Sequence, residues 1–377
     1  DLSPVDAMER IKNGEKYTVR LKSSGNFFNK FKFNDLVFGE MEFPENDIDI
    51  PIMKSSNLLP TYHFAHLVDD HLMRTTHVVR GQEWMSSVPV HYELFKTFGF
   101  KMPKYIHTPL ILKKDGDKIR KISKRLDPEA RMTYYEEKGY PVYSLIEAIM
   151  TIANSNYEQW REGHPDADFT EFEFSPKKMS SAGALFDLDK LDNISKNYLS
   201  KLKASEVFDG LDEWSKIYDT DFNVLINKHK DYTISVLNIE REQKKPRKDF
   251  ACFSEVKDNI WYMYNELFDG AVFDFSFLKY EEDAKKIIST YLNEYFDIND
   301  DKETWFNKIK ELTEKMGYCS NMKEYKENPD NYRGSTADIS NVIRVALTTK
   351  LTTPDLYEII NILGDAEVRS RFSKICG

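Results

Sequence analysis

The chain has 377 residues and a formal net charge of −10, with 41% hydrophobic, 31% charged and 14% aromatic residues. This length allows about two to four domains, and no apolar run approaches the roughly 20 residues needed to span a membrane. An acidic chain is unsuited to indiscriminate DNA binding, although a local basic stripe can still bind RNA. Cys252, Cys319 and Cys376 are far apart. They predict neither a disulfide framework nor a zinc site, as in a protein of the reducing cytoplasm.

The first 58 residues are predicted to be mostly β after one short helix. Ser3 and Pro4 form an N-cap and N1 pair, which predicts a helix over 4–13. Alternating apolar residues then predict strands within 17–22, 31–43 and 48–53. Because the chain lacks an initial Met and enters a structured element at once, we expect a fragment of a longer protein.

Residues 60–112 alternate between strand and helix. Strands are predicted at 77–80, 105–107 and 110–112, and a helix at 84–98 with Gly99 just after its end. This β-α-β order predicts a parallel sheet with a crossover helix. Ligands of such sheets bind beyond the carboxyl ends of the strands, where Arg80 and the segment after Leu112 are expected.

Residues 113–125 combine seven cations with two acids, Asp115 and Asp117. The cations are Lys113, Lys114, Lys118, Arg120, Lys121, Lys124 and Arg125. A short strand followed by a mobile basic loop predicts polyphosphate binding, because ammonium groups neutralise charge while a Ser hydroxyl and the backbone donate hydrogen bonds. Taken alone, the segment is more typical of a solvated surface run or a generic nucleic-acid patch, because short Lys-rich strings are common.

From residue 126 the pattern becomes helical. Helices are predicted at 131–138 and 141–153, and the last 180 residues are predicted to be all-α. Thr353-Pro354 is predicted to cap a helix that ends at Gly364.

Several strings together resemble glutamyl-tRNA synthetases. Lys121-Ile122-Ser123-Lys124-Arg125 resembles the KMSKS-type signature of class I aminoacyl-tRNA synthetases, in its KxSKR form. Further matching strings occur in the family's order and spacing: PTYHFA at 60–65, VDDHLM at 68–73, RGQEW at 80–84, HTPL at 107–110 and FDLDKL at 186–191.

The resemblance implies an α/β plus all-α protein. The α/β region would be the carboxyl-terminal half of a class I Rossmann-type nucleotide fold with a mostly β insertion remnant, followed by a helical anticodon-binding region. The implied parts are 1–58, a remnant of the acceptor-end-binding insertion; 59–125, the second half of the catalytic domain; 126–198, a stem-contact region; and 199–377, the anticodon-binding region.

The chemistry of amino-acid activation needs alignment and positive charge on the departing pyrophosphate, because the attacking carboxylate is already an anion. The resemblance implies that Lys124, aided by Lys121, supplies that charge. The implied ATP-binding residues are Glu83, Trp84, Leu110, Ile111, Ile122, Ser123 and Lys124. Mg²⁺ would arrive with ATP, and no protein-bound metal is expected, since Asp69-Asp70-His71 is a structural string in the family.

Tyr62, His66 and Arg80 are the residues that the resemblance assigns to glutamate. The planar fork of an Arg suits bidentate binding of a carboxylate. A lone Arg is otherwise more often a surface or ion-pair residue, and His66, where the family commonly has Asn, is equally explained as a core or surface histidine.

A second basic run, at 241–248, is a candidate for RNA. Arg241, Arg247 and Lys248 are the predicted tRNA-binding residues, and a solvated surface run is an equal alternative. The family reads the anticodon in about this region, and Arg247 is the candidate reader.

The implied function is that of a glutamate–tRNA ligase: ATP-dependent activation of glutamate and its transfer to the 3′ end of tRNA-Glu. The implied protein is a cytoplasmic monomer without DNA or membrane partners. The family's HIGH-type string, His-x-Gly-His, does not occur in residues 1–377, so we expect the chain to lack its amino-terminal part and to be inactive alone. The alternative is a truncated, non-catalytic tRNA-binding paralogue. Charging of tRNA-Gln is left open.

Overall fold

The computed structural model describes residues 2–376, in two compact units. Unit 1 comprises Asp1–Asp127 and Ile146–Asp187, and unit 2 comprises Pro128–Leu145 and Leu188–Gly377. Residues 1 and 377, the outer ends of the first and last predicted parts, lie outside the described residues. Over residues 2–376 the structure contains no helix both long and apolar enough to cross a membrane.

The regular elements follow the chain in this order. The strands are β1 Val19–Leu21, β2 Lys30–Asp35, β3 Gly39–Pro44, β4 Ile50–Met53, β5 His77–Gly81, β6 Lys104–Thr108, β7 Ile111–Asp115, β8 Lys118–Lys121 and β9 Ala184–Leu185. The helices are α1 Pro4–Lys12, α2 Tyr62–Leu72, α3 Val88–Phe98, α4 Met132–Lys138, α5 Val142–Ala153, α6 Tyr157–Gly163, α7 Leu188–Lys201, α8 Ala204–Tyr218, α9 Thr220–Lys228, α10 Lys230–Asn238, α11 Val256–Ile260, α12 Asn265–Phe268, α13 Asp283–Thr290, α14 Lys302–Lys315, α15 Met322–Glu327, α16 Thr336–Thr348 and α17 Leu356–Cys376.

A four-stranded sheet in the order β3-β2-β6-β5 forms the centre of unit 1. β5 and β6 are parallel and joined through α3, which confirms the predicted crossover helix. β2 is also parallel to β6 and pairs with β3 in an antiparallel hairpin. β2, β5 and β6 run in the same direction, but they do not end at the same level. β2 ends beside the start of β6, where Asp35 pairs with Tyr105, whereas β5 and β6 end together at Gly81 and Thr108. Phe31, Phe33, Val88 and Tyr105 form a buried core on this sheet.

The predicted helix at 84–98 begins later than expected. Residues Gln82–Ser87 form a 3₁₀ helix, and the α-helix begins only at Val88. Pro89 lies in the first turn of α3, where its lack of an N–H removes no helical hydrogen bond. Gly99 ends α3 with φ +67°, as predicted.

Two predictions about the segment around 110–125 were wrong. Residues 110–112 do not join the parallel sheet, because β7 belongs to a separate three-stranded sheet in the order β8-β7-β9. The expected mobile loop is largely a β-hairpin, in which Asp115 pairs with Lys118 and Gly116 takes φ +59° in the turn. The two-residue loop is therefore Gly116-Asp117, and Gly at its first position reaches positive φ without steric cost.

The regular secondary structure of unit 2 is helical over its described residues, apart from one isolated bridge between Cys319 and Ser335, in agreement with the prediction. Asp355, rather than Thr353, caps the last helix, because its carboxylate accepts from the Glu358 N–H at 3.1 Å. Gly364 does interrupt that helix, with φ +79°, but helical structure resumes as far as Cys376.

Candidate active site

Arg80 lies near the carboxyl end of β5, and its guanidinium is held by three neighbours. Nε donates to Nε2 of His107 at 3.0 Å, and Nη1 lies 3.0 Å from Nδ1 of His91. Nη2 donates to the Trp84 carbonyl at 3.3 Å. The guanidinium carbon also lies 4.8 Å from the centre of the Tyr105 ring, within reach of a cation–π interaction.

Tyr62 and His66, on the first turns of α2, lie beside this arginine. Their rings stack with centroids 6.1 Å apart, and the Tyr62 ring packs on Trp84 at 4.8 Å. His66 places Nε2 3.0 Å from the Tyr105 hydroxyl and Nδ1 2.8 Å from a carboxylate oxygen of Asp70. The structure thus brings the three predicted glutamate residues together, with Trp84, a predicted ATP residue, among them.

The protonated forms of His63, His66 and His91, around Arg80, are disfavoured. Burial foremost, together with the neighbouring His66, Arg80 and His63, lowers the pKa of His91 to about 2. Burial is also the main cause that lowers the pKa of His63 and of His66, the latter despite the opposing effect of Asp70. Arg80 therefore provides positive charge in a pocket of neutral rings.

The signature segment is anchored by Asp127. This buried carboxylate accepts from the Ser123 N–H at 2.8 Å, from Nη1 of Arg120 at 2.7 Å and from Nζ of Lys113 at 3.3 Å. The hydrogen bond from Arg120, foremost among several, holds the pKa of Asp127 well below its usual range. The turn closes with a 2.7 Å hydrogen bond from the Asp127 N–H to the Ser123 carbonyl.

The seven cations of the hairpin therefore have different surroundings. Arg120 is paired with Asp115 and Asp127, and Lys113 with Asp127. Lys121 and Lys124 are exposed, and neither forms an ion pair with any residue in 2–376. These two lysines remain available to an anionic ligand, and Ser123, half-buried between them, fixes the turn.

The remaining predicted ATP residues form short backbone links around the hairpin. The Leu110 N–H donates to the Gln82 side chain at 3.2 Å, and the Ile122 N–H donates to the Ile111 carbonyl at 3.1 Å. The carboxylate of Glu83 folds back over Gly81. A Cβ atom added at Gly81 would lie only 2.2 Å from Oε2 of Glu83. Leu110, Ile111 and Ile122 thus support the signature turn through their backbone.

In unit 2, the predicted tRNA residues have unlike environments. Arg241 donates from Nε to the Leu237 carbonyl at 2.9 Å and from Nη1 to the Leu202 carbonyl at 3.1 Å, and burial lowers its pKa. Arg247 pairs with Asp249 and, at 3.8 Å, with Glu240. Lys248 is exposed.

Arg247 also lines a cavity of about 680 Å³ that sequence reasoning did not identify. Arg344, Trp305, Phe306 and Pro354 are among its other walls. Arg344 donates to Oγ1 of Thr353 at 2.5 Å and to the Pro354 carbonyl at 3.2 Å, while burial lowers its pKa. The available signal was a cation inside the apolar run 342–347.

Residues 2–376 contain no group of three or more His, Cys, Asp or Glu side chains placed to hold a metal ion.

Comparisons with known proteins identify the family. Residues 1–193 match the family of class I tRNA synthetases (E and Q), catalytic domain, and residues 334–376 match an anticodon binding domain. The chain is 44% identical over 378 residues to a glutamate–tRNA ligase of Clostridium beijerinckii, and 46% identical over 377 residues to one of Clostridium perfringens. Each alignment covers 99% of this chain and 68% of the relative.

The fold agrees with a crystal structure of a glutamate tRNA ligase from Elizabethkingia meningosepticum in complex with its amino acid. The TM-score is 0.70 at 20% sequence identity, over 100% of this chain and 71% of that one. The predicted combination of a mixed α/β catalytic region with a helical carboxyl-terminal region is thereby confirmed. The chain belongs to the glutamate–tRNA ligase family of class I aminoacyl-tRNA synthetases.

Proposed function

We propose that this chain carries the glutamate-binding and pyrophosphate-stabilising groups of a glutamate–tRNA ligase, which activates glutamate with ATP and transfers it to the 3′ end of tRNA-Glu. The observation that carries the proposal is Arg80: a half-buried guanidinium, oriented by neutral groups, beside Tyr62 and His66. An uncompensated guanidinium of this kind suits a substrate carboxylate.

The signature turn supplies the second half of the reaction. Lys124, aided by Lys121, would stabilise the charge that develops on pyrophosphate, since both ammonium groups are exposed and unpaired among the described residues. Glu83, Leu110, Ile111 and Ile122 would complete the ATP site with Trp84 and Ser123. Mg²⁺ would enter bound to ATP.

The finer architecture is part of the same proposal. The parallel strands β5 and β6 with their crossover helix would be the carboxyl-terminal half of a Rossmann-type fold, and residues 1–58 a remnant of the acceptor-end-binding insertion. The other predicted parts, 126–198 and 199–377, would contact the tRNA stem and anticodon. A cytoplasmic monomer suits an enzyme whose substrates are ATP, glutamate and tRNA.

For tRNA, the cavity lined by Arg247 and Arg344 is the best candidate for an anticodon base. Arginines can hydrogen-bond to base edges, and the aromatic walls Trp305 and Phe306 offer stacking surfaces. Lys248 and Arg241 remain predicted tRNA contacts, although the guanidinium of Arg241 already binds backbone carbonyls.

The test is a hybrid ligase in which residues 1–377 replace the matching part of the Clostridium perfringens enzyme. Glutamate-dependent exchange of pyrophosphate into ATP, followed by charging of purified tRNA-Glu and tRNA-Gln, measures both steps. Exchange and charging are the expected results. A folded hybrid that binds tRNA without exchange would support the non-catalytic paralogue instead, the alternative consistent with the absence of His-x-Gly-His from 1–377. Charging by Arg247→Gln with both tRNAs tests the candidate anticodon reader.

A further inference from the structure

We propose that Asp35 and His107 are positioning residues for Arg80: Asp35 holds His107 in the tautomer that accepts a hydrogen bond from Arg80, which orients the guanidinium without neutralising it. The inference rests on the proposed binding of glutamate by Arg80. Asp35 was not among the predicted site residues and lies 45 residues before Arg80.

The three residues are brought together by the parallel sheet. Asp35 ends β2, His107 lies on β6 and Arg80 on β5, and these strands are neighbours. The side chains of Asp35 and His107 are both 0% exposed. Oδ2 of Asp35 lies 2.7 Å from Nδ1 of His107, and Nε2 of His107 lies 3.0 Å from Nε of Arg80.

The hydrogen positions follow from these contacts. The Nε–H of an arginine can only donate, so Nε2 of His107 must accept and carry no proton. The proton of the neutral ring then lies on Nδ1, which donates to Asp35. The opposite tautomer would place two N–H groups against each other at Arg80.

The hydrogen-bond partners of Asp35 favour its ionised form. Burial alone would raise the pKa of Asp35, but hydrogen bonds from the His107 ring and from the Phe38, Val37 and His107 N–H groups outweigh burial and lower it. Oδ1 accepts from Val37 at 2.8 Å and Phe38 at 3.0 Å, which leaves Oδ2 for His107.

The arrangement keeps the charge of Arg80 available. Its direct partners are the rings of His107 and His91 and the Trp84 carbonyl, and among residues 2–376 no carboxylate forms an ion pair with it. A carboxylate in the place of His107 would compete with the substrate anion. Inserting a neutral ring between Asp35 and Arg80 gives orientation without that competition.

The first test reads the tautomer directly on residues 1–377. Nitrogen-15 NMR of the histidine rings distinguishes a protonated from an unprotonated ring nitrogen. We expect an unprotonated Nε2 and a protonated Nδ1 for His107 at neutral pH, and the reverse in Asp35→Asn, because the asparagine amide can donate to Nδ1. A protonated Nε2 in the unmodified protein would overturn the proposal.

The second test separates the two hydrogen bonds of His107 in the hybrid ligase. His107→Gln can keep an acceptor towards Arg80, whereas His107→Asn keeps only a donor towards Asp35. Losing a hydrogen bond to a charged group predicts a rise of about tenfold in the KM for glutamate in His107→Asn and Asp35→Asn, with the KM for ATP within about twofold. His107→Gln should remain within about threefold.

The double variant Asp35→Asn/His107→Gln decides between positioning and mere structural support. A glutamine has no tautomer, so Asp35→Asn should add almost nothing to the KM for glutamate of His107→Gln. Equal KM values for the Asn and Gln variants, or full additivity in the double variant, would refute the proposal. Absence of exchange in the unmodified hybrid would refute the proposed function instead, while the NMR result would still decide the tautomer.

Discussion

Arg80 and Arg120 both lie in unit 1 and are held in opposite ways. Arg80 donates to two imidazoles and a backbone carbonyl. Arg120 donates to two carboxylates, at 2.7 Å to Asp115 and at 2.7 Å to Asp127. Burial lowers the pKa of Arg80, whereas the hydrogen bonds to Asp127 and Asp115 raise the pKa of Arg120.

This difference separates a cation that builds structure from one that can bind a ligand. The charge of Arg120 is balanced by Asp115 and Asp127, and the pair with Asp127 orders the turn 123–127 that contains Lys124. The charge of Arg80 has no such partner among the described residues. The number of cations in a segment therefore says little about binding until their acids are known.

The largest effect is expected from Arg80→Ala. Removing the guanidinium takes away the charge-assisted bonds to the substrate carboxylate, so the KM for glutamate in pyrophosphate exchange should rise on the order of 10³-fold. Arg80→Lys retains the charge but loses the bidentate fork and should recover only part of this. An unchanged KM for glutamate in Arg80→Ala would contradict the proposed difference between the two arginines, because Arg80 would then be structural like Arg120.

A smaller effect is expected from Lys124→Ala, with Lys118→Ala as its matched control. Both lysines are exposed within the basic segment 113–125, and each substitution removes one positive charge. If Lys124 stabilises departing pyrophosphate, its loss should lower kcat of exchange about 100-fold. Lys118→Ala should remain within about twofold. Equal losses in both variants would indicate a diffuse basic patch.

Asp127→Asn tests the structural role assigned to the Arg120 pair. The substitution removes the charge facing Arg120 and weakens the hold on the Ser123 N–H, so the KM for ATP should rise about tenfold, with the KM for glutamate unchanged. Asp115→Asn is the control, because Asp115 binds Arg120 from the exposed side and does not contact Ser123. A larger effect from Asp115→Asn than from Asp127→Asn would contradict the anchor role.

His91, beside Arg80, and Asp127, beside Arg120, should also lose their contributions to the free energy of unfolding in different pH ranges. An unfolded histidine takes up a proton near pH 6.5, but His91 in the folded protein has a pKa of about 2. The contribution of His91 to the free energy of unfolding is thus present above about pH 6.5. It decreases as the pH falls, by about 1.4 kcal/mol between about pH 7.5 and 5.5. The lowered pKa of Asp127 makes its contribution fall only below about pH 4.

Urea unfolding at these two pH values measures the loss of free energy of unfolding. We expect His91→Asn to show a smaller loss than the unmodified protein, because one suppressed protonation is gone. Asp127→Asn should show the same loss as the unmodified protein over this range. A pH response that persists in full in His91→Asn would assign it to other groups, first of all His63 and His66, whose pKa values burial also lowers.

Local patterns in the sequence predicted much of the fold and part of the site. The crossover helix with Gly99 at its end and the helical unit 2 agree with the structure. The family resemblance, rather than a local pattern, grouped Tyr62, His66 and Arg80, and the three side chains are neighbours in the structure. The sheet to which β7 belongs was predicted wrongly, because a short apolar run pairs equally well in either sheet. The basic segment was predicted as a mobile loop because of its charge, whereas the Gly116-Asp117 turn allows its strands to pair.

The amino-acid sequence by itself determined which residues this protein can use: the signature 121–125, the strings before it and Arg80 within them. Those signals are local, since they depend on order and spacing along the chain. Only the tertiary structure decided which cations are free. The partners of Arg80 and Arg120 are distributed over separate strands and turns, and pairing of β2, β5 and β6 is what places Asp35 behind His107 and His107 against Arg80.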